Sequence, residues 1–325
     1  MIKAAILGTG RCVPKKILTN ADLEKMVDTS DEWITTRTGI KERRIVSEGE
    51  TWSLLATEAS RQALEMAQVA PQDLDIIIAA TFTSDYRLPA GACLVQQALK
   101  AYKATAFDLA GACTGFIYGL SIAEKFIKDN PKLKILVIGA EVLSAVTNWE
   151  DRSTCVLFGD GAGAAVVGAD EEKGILSVYT GSDPTVWDLL CVPAGGSLYP
   201  PFKEGVPKEE YFVKMKGNEV FKYAVRYMEE AARTVLEKAG LEPKDIDWFI
   251  PHQANIRIIN MVAKRLGIPL EKVIVNIEKY GNTSAATIPI ALDEAVREGK
   301  IKRGDLILLD AFGGGFTYGA IVLKW

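Results

Sequence analysis

Residues 71–78 read Pro-Gln-Asp-Leu-Asp-Ile-Ile-Ile, and 172 positions later residues 243–250 read Pro-Lys-Asp-Ile-Asp-Trp-Phe-Ile. Each copy follows a segment of helical periodicity and runs into a short apolar stretch, so the pair marks the same joint of one supersecondary unit used twice. Two such copies in 325 residues imply an α/β protein of two related halves, residues 1–170 and 171–325, disposed about a pseudo-twofold axis.

Alternating periods fill in both halves. Apolar, β-branched runs at 3–7, 76–81, 106–109, 135–138 and 163–168 predict strands, and amphipathic stretches at 51–66, 90–99 and 116–128 predict the helices between them. In the second half strands are expected at 175–179, 248–250, 306–309 and 320–324, with one helix at 218–238 and another ending at Leu266. Residues 181–210, which carry Pro184, Pro193, Gly195, Gly196, Pro200, Pro201 and Pro207, read as an extended surface excursion near the boundary.

Bulk properties exclude several functions. A net charge of -4 argues against general nucleic-acid binding, which needs a broad basic surface to neutralise phosphates. An anionic partner would need a local basic patch. No run approaches the roughly 18 apolar residues of a membrane span. The apolar run Ala4 to Leu7 is too short for the core of a secretion signal. Cys12, Cys93, Cys113, Cys155 and Cys191 are odd in number and widely spaced, without Cys-x-x-Cys pairs. That pattern points away from a disulfide framework or zinc ribbon and toward a reducing cytoplasm. One histidine and scattered cysteines offer no ligand cluster for a catalytic metal.

That histidine is His252, and any chemistry requiring an imidazole near neutral pH must use it. It lies in Phe249-Ile250-Pro251-His252-Gln253-Ala254-Asn255, at a strand-to-helix junction of the kind where α/β proteins place reactive groups. Cys113, in Gly111-Ala112-Cys113-Thr114-Gly115, follows a strand and opens a helix. Its small neighbours let a substrate approach. The positive end of the helix dipole is expected to lower a thiol pKa that otherwise sits near about 8.5, and backbone N–H groups there can hold an oxyanion. The other four cysteines read as structural. Asn282, in Tyr280-Gly281-Asn282-Thr283-Ser284, does not titrate and would act as a fixed hydrogen-bond donor beside the histidine. Between the last two strands, Ala311-Phe312-Gly313-Gly314-Gly315-Phe316 is a backbone turn able to aim an N–H at a reacting oxygen.

The segments around Cys113, His252 and Asn282, the run Phe158-Gly159-Asp160-Gly161-Ala162-Gly163 and the ending Ala-Phe-Gly-Gly-Gly-Phe-Thr-Tyr-Gly occur together in this chain. With these motifs the sequence resembles the β-ketoacyl-acyl-carrier-protein synthase III family, from its opening Ile-Leu-Gly-Thr-Gly to its last strand. The resemblance implies the thiolase fold, with two duplicated βαβαβαββ halves forming a five-layered αβαβα sandwich, normally as a homodimer. It also implies decarboxylative Claisen condensation of a short acyl-CoA primer with malonyl-acyl-carrier protein. The products would be β-ketoacyl-carrier protein, CoA and carbon dioxide, at the start of fatty acid synthesis. Cys113 would carry the primer as a thioester, while His252 and Asn282 would hold the enolate oxygen left by decarboxylation. The backbone N–H groups of Cys113 and Gly314 would hold the tetrahedral oxyanion. Acyl-CoA enters as substrate, with no cofactor bound permanently and no metal. Elongating relatives use two histidines with the cysteine, so a chain with one fits the initiating Cys-His-Asn type.

By the same resemblance Trp33 and Arg152 would clasp the adenine of CoA, with Arg37 near its phosphates. Gly217, Phe221 and Asn255 would line the pantetheine tunnel. Leu88 matches the position that limits primer size, where the family often carries an aromatic residue. Arg257 and Lys264, seven apart and so on one helical face, join Arg265 and Lys222 in a basic patch suited to an acidic carrier protein. Two other readings stay open. The order Cys, His, Asn also suits a papain-like cysteine hydrolase, although its Cys-Gly-Ser-Cys-Trp context is missing. A specialised-metabolite condensing enzyme of the same fold would carry the same motifs.

Overall fold

The computed structural model describes residues 2–325, and two sheets organise it. In the first half the strands Lys3–Cys12, Ile76–Ala80, Thr105–Leu109, Ile135–Glu141 and Gly161–Asp170 lie in the spatial order first, fifth, fourth, second, third. The third, second and fourth run parallel, as helical crossovers require, and the fifth is antiparallel to both of its neighbours. In the second half Gly174–Ser182, Trp248–Pro251, Leu306–Gly313 and Thr317–Lys324 take the places of first, second, fourth and fifth, in the same order and directions. The repeated proline motif sits at the same joint twice: Pro71–Asp73 and Pro243–Asp245 each form a 3₁₀ turn before the second strand.

The halves part at the third strand. In the second half the chain returns beside the second strand but pairs with it through a single bridge, Phe249 with Val273. Pro251 has no N–H with which to extend the ladder. The Gln253 side chain takes over instead, donating to the carbonyls of Pro251 at 2.8 Å and Ile274 at 3.2 Å and accepting from the Asn276 N–H at 3.1 Å. The first half therefore follows the expected βαβαβαββ order, and in the second the third strand is reduced to one bridge.

Side chains alternate between the faces of each strand, and that period sets the layers. Ile76, Ile78, Ile135 and Val137 face the middle of the molecule, where helices Gly115–Asp129 and Thr287–Arg297 fill the gap between the sheets. Ile77, Ala79, Leu136 and Ile138 face outward onto helices Trp52–Ala67 and Gly91–Leu99. Phe249, Leu308, Ala320 and Val322 do the same for helices Gly217–Ala239 and Ile256–Leu266. The outcome is five layers, α, β, α, β, α. Each fully buried aliphatic or aromatic side chain in these layers contributes roughly 1.5–3 kcal/mol relative to exposure.

The excursion after the first strand of the second half is more than surface. Leu190–Cys191 pairs with Lys214–Met215 as a short ribbon, and Leu190, Cys191, Val192, Val213 and Met215 wall a cavity. The rest of the excursion is largely solvent-facing, with Trp187, Leu198 and Phe202 exposed. Among the described residues, no helix is long and apolar enough to cross a membrane.

Candidate active site

Two turns meet at the centre of the molecule, each leading into one of the two central helices. Ala112–Thr114 precedes Gly115–Asp129, and Ser284–Ala286 precedes Thr287–Arg297. The offset that separates the proline motifs also separates these turns, so they are pseudo-symmetry mates. Both begin with a non-glycine residue in the left-handed region, Ala112 at φ 44° and Ser284 at φ 51°. Such conformations cost about 1–3 kcal/mol and persist only where the surroundings impose them.

Cys113 occupies the first turn. Gly313 backs it closely: a Cβ there would lie 2.6 Å from the Cys113 nitrogen. The helix dipole does not govern its thiol as the sequence suggests. The α-helix proper starts two residues later at Gly115, and burial pushes the thiol up to about 12, against a smaller opposing hydrogen bond from the Ser284 side chain. At rest Cys113 is a neutral thiol.

His252 follows the second strand of its half, its backbone N–H donating to the Asp310 carbonyl at 2.7 Å. Nδ1 lies 2.6 Å from the Thr287 hydroxyl, which is also 3.1 Å from the Ser284 carbonyl. The imidazole is buried and burial alone lowers it to about 3, so it too is neutral. Asn282 is fixed from both sides of its backbone, with its N–H on the Leu157 carbonyl at 2.9 Å and its carbonyl on the Gly159 N–H at 3.0 Å. Gly159 admits this approach, since a Cβ there would fall 2.3 Å from the Tyr280 carbonyl oxygen. The Phe158-Gly159-Asp160 run is thus the clasp that holds the asparagine. Asn282 Oδ1 accepts from the Ser284 N–H at 2.8 Å, which commits the oxygen and leaves the amide NH₂ as the free end.

Cys113, His252, Asn282 and Gly314 line one cavity of about 1030 Å³. Its inner end is buried and uncharged, whereas Arg37, Lys222 and Arg257, which also line it, are exposed. Trp33 lines it as well, with the guanidinium of Arg37 4.8 Å from the ring centroid and that of Arg152 at 5.2 Å. Arg152 Nη1 donates to the Asp28 carbonyl at 2.7 Å, which holds it over the indole. Gly217 and Phe221 lie at the start of their helix along the same wall. Asn255 lines it too, but as the N-cap of helix Ile256–Leu266, its Oδ1 accepting from the Arg257 N–H at 2.8 Å.

Three sequence candidates lie elsewhere. Leu88 is 86% exposed and does not line the cavity of its own chain. Phe82 occupies that cavity instead. Lys264 is exposed further along its helix, and Arg265 is engaged with Glu229 at 3.0 Å. Sequence reasoning missed Ser284, Thr287, Phe82 and Glu141. Ser284 was visible only as part of the Asn-Thr-Ser turn, and a lone threonine or glutamate carries no signal until the turns are brought together. Among the described residues, no three His, Cys, Asp or Glu side chains are grouped to hold a metal ion.

Known proteins share this fold and much of this sequence. The family models described as 3-oxoacyl-[acyl-carrier-protein] synthase III and its C-terminal part match residues 107–184 and 236–325. The β-ketoacyl-[acyl-carrier-protein] synthase III of Caldanaerobacter subterraneus subsp. tengcongensis is 58% identical over 325 residues, covering 100% of this chain and 98% of that protein. The crystal structure of 3-oxoacyl-[acyl-carrier-protein] synthase III from Aquifex aeolicus superposes with a TM-score of 0.92 at 55% identity, covering 99% of this chain and 100% of that one. The priming β-ketosynthase of a polyketide biosynthetic pathway superposes with a TM-score of 0.94 at 38% identity, covering 99% and 96%. Fold and matches together define a thiolase-fold condensing enzyme, an acyltransferase. The cysteine-hydrolase reading falls with that. Within this class the chain belongs to the β-ketoacyl-[acyl-carrier-protein] synthase III family.

Proposed function

We propose that the chain condenses a short acyl-CoA primer with malonyl-acyl-carrier protein, releasing CoA and carbon dioxide and initiating fatty acid synthesis. The observation that carries the assignment is the convergence of Cys113, His252 and Asn282 on one cavity whose exposed lining holds Arg37, Lys222 and Arg257 against a single carboxylate, Glu219. Cys113 attacks the primer thioester and holds the acyl group, with the oxyanion on the backbone N–H groups of Cys113 and Gly314. CoA leaves. The malonyl thioester then enters and loses carbon dioxide, and its enolate oxygen accepts from the Asn282 amide and from His252 Nε2–H. The Thr287 hydroxyl, 2.6 Å from Nδ1 and 3.1 Å from the Ser284 carbonyl, fixes the orientation of the ring. A neutral imidazole and a carboxamide suit this task, because neither must lose a solvating counter-charge as the enolate forms. The enolate carbon attacks the acyl-Cys113 thioester and expels the cysteine.

Adenine stacks on Trp33 beside Arg152, with Arg37 for the phosphates, and the pantetheine arm runs past Gly217, Phe221 and Asn255. The acidic carrier protein approaches the rim at Lys222 and Arg257, with Lys264 beyond. Arg265 and Lys222 contribute less than Arg257, being paired already with Glu229 and Glu219, each at 3.0 Å. The chain works as a homodimer in which the exposed Leu88 closes the primer pocket of the partner subunit. Acyl-CoA is a substrate, and the cycle asks for no resident cofactor or metal. The five free thiols fit a reducing, cytoplasmic setting.

The roles separate by step. His252→Ala and Asn282→Ala are expected to keep acyl transfer from acyl-CoA to Cys113 within a few-fold while slowing condensation by about 10²–10³, the usual cost of losing one oxyanion donor. Single-turnover acylation and overall turnover, measured separately, check this, and an equal loss in both steps contradicts it.

A further inference from the structure

Thr114 and Thr317 lie beside the two turns that carry the oxyanion donors, and the cycle above gives neither a task. Thr114 follows Cys113 directly and is buried, and Thr317 opens the last strand just beyond the Gly314 turn. The Thr114 hydroxyl donates to the Thr317 carbonyl at 3.1 Å. The Thr317 hydroxyl in turn has one proton and three acceptors within reach: the Gly111 carbonyl at 3.1 Å, the Thr114 oxygen at 3.2 Å and the Gly314 carbonyl at 3.3 Å. One hydroxyl therefore sits between a carbonyl of the Cys113 turn and a carbonyl of the Gly314 turn.

Other contacts confine the Gly314 turn without orienting it. A Cβ on Gly313 would lie 2.6 Å from the Cys113 nitrogen, and one on Gly314 would lie 3.0 Å from the Leu190 carbonyl oxygen. Past the turn, the Phe316 N–H donates to the Asp183 carbonyl at 2.7 Å and the Asp183 N–H to the Phe316 carbonyl at 2.8 Å. These contacts limit how close the turns come and where the second one ends. A directed hydrogen bond also fixes how each peptide is turned. Among the described residues, the side-chain hydrogen bonds that cross from one turn to the other all come from Thr114 and Thr317.

We propose that Thr114 and Thr317 are positioning residues that set the spacing and orientation of the Cys113 and Gly314 N–H groups for the tetrahedral oxyanion. The inference rests on the oxyanion assignment given above. Neither threonine lines the cavity, so each acts through the backbone and not on the substrate. Donors of this kind work because they are aimed before charge develops, and a misplacement of about 1 Å can cost about 10²-fold. Acyl transfer from CoA to Cys113 passes through a tetrahedral oxyanion, and so does attack of the enolate on the acyl-Cys113 thioester. Loosening the pair therefore slows both half-reactions, whereas loss of His252 or Asn282 slows condensation.

The test uses Thr317→Val, which keeps the branched shape of the side chain and removes the hydroxyl. Single-turnover acylation by acetyl-CoA and overall turnover are measured beside alkylation of Cys113 by iodoacetamide, a displacement at saturated carbon that develops no oxyanion. Acylation and turnover are expected to fall about 10- to 100-fold, with KM for acetyl-CoA and the alkylation rate changed no more than a few-fold. Thr317→Ser restores the hydroxyl and should recover most of both rates. Thr114→Ala, which leaves the strand intact if Thr317→Val does not fold, should lower the same two rates. Wild-type acylation in either folded variant, or alkylation that falls in step with acylation, overturns the proposal. Absence of an acyl adduct on wild-type Cys113 would instead remove the acyl-enzyme reading, so the two failures are distinguishable.

Discussion

At the scale of single residues the site is governed by burial rather than by charge pairs. His252 sits at about 3 against an ordinary 6.5, and Glu141 at about 8 against 4.5. These shifts act on stability in opposite directions. The native protein resists protonating His252, so that contribution is present above pH 6.5 and is lost as pH falls toward 3. It holds the Glu141 proton more tightly than the unfolded chain does, so that contribution is present below pH 4.5 and is lost as pH rises through 8. Glu141→Gln removes the second effect alone. Its unfolding free energy relative to wild type should therefore improve steadily from pH 5 to pH 9, as read by urea titration, and a pH-independent difference would contradict the buried, protonated carboxyl. Much of this scale was legible in the chain. One histidine among 325 residues left no choice of imidazole, and the small neighbours of Cys113 marked the nucleophile. The thiol's elevation was not legible, because it depends on how the opposite half covers the sulfur.

At the scale of elements, the placement of Asn282 and Ser284 depends on two glycines in neighbouring strands. Gly139 and Gly163 are register partners in the first sheet. A Cβ on Gly139 would lie 2.1 Å from the Ala285 carbonyl oxygen, and one on Gly163 would lie 2.7 Å from Pro289 Cβ. Together they form a bare strip against which the second turn is seated. Gly139→Ala is expected to cost about 1–3 kcal/mol through forced backbone displacement and to slow condensation by moving the Asn282 turn. Denaturant midpoints together with kcat test this, and an active variant of native stability would show that the turn is not seated on the sheet. Period-two and period-3.6 patterns located the main helices and strands well, with Thr51 capping Trp52–Ala67 where the helix was expected to begin. They could not foresee that Gln253 would replace a strand's ladder bonds with its own amide, since that exchange depends on one side chain in three dimensions.

At the scale of the whole molecule, duplication explains both the architecture and the site. The offset that relates two proline turns in sequence also relates the Cys113 turn to the Ser284 turn in space, so the nucleophile and its supports arise as two copies of one joint meeting at the pseudo-twofold. Repetition in the letters was enough to anticipate two related α/β halves about a pseudo-twofold, while the five layers were implied by the family resemblance. It was not enough to show that the excursion after Ser182 would wall the cavity, or that Leu88 would stand clear of it. Leu88, Tyr86 and Leu54 are exposed apolar side chains. If they meet a second copy, sedimentation velocity should give a dimer, Leu88→Asp should shift it toward monomer and broaden primer selection, and a wild-type monomer would remove the partner-pocket assignment.

The most direct measurement is intact-protein mass after incubation with acyl-CoA, followed by addition of malonyl-acyl-carrier protein. The account requires a single acyl adduct that maps to Cys113, is absent from Cys113→Ala, and disappears as β-ketoacyl-carrier protein forms. An adduct on another residue, or product formed at the wild-type rate by Cys113→Ala, would contradict it.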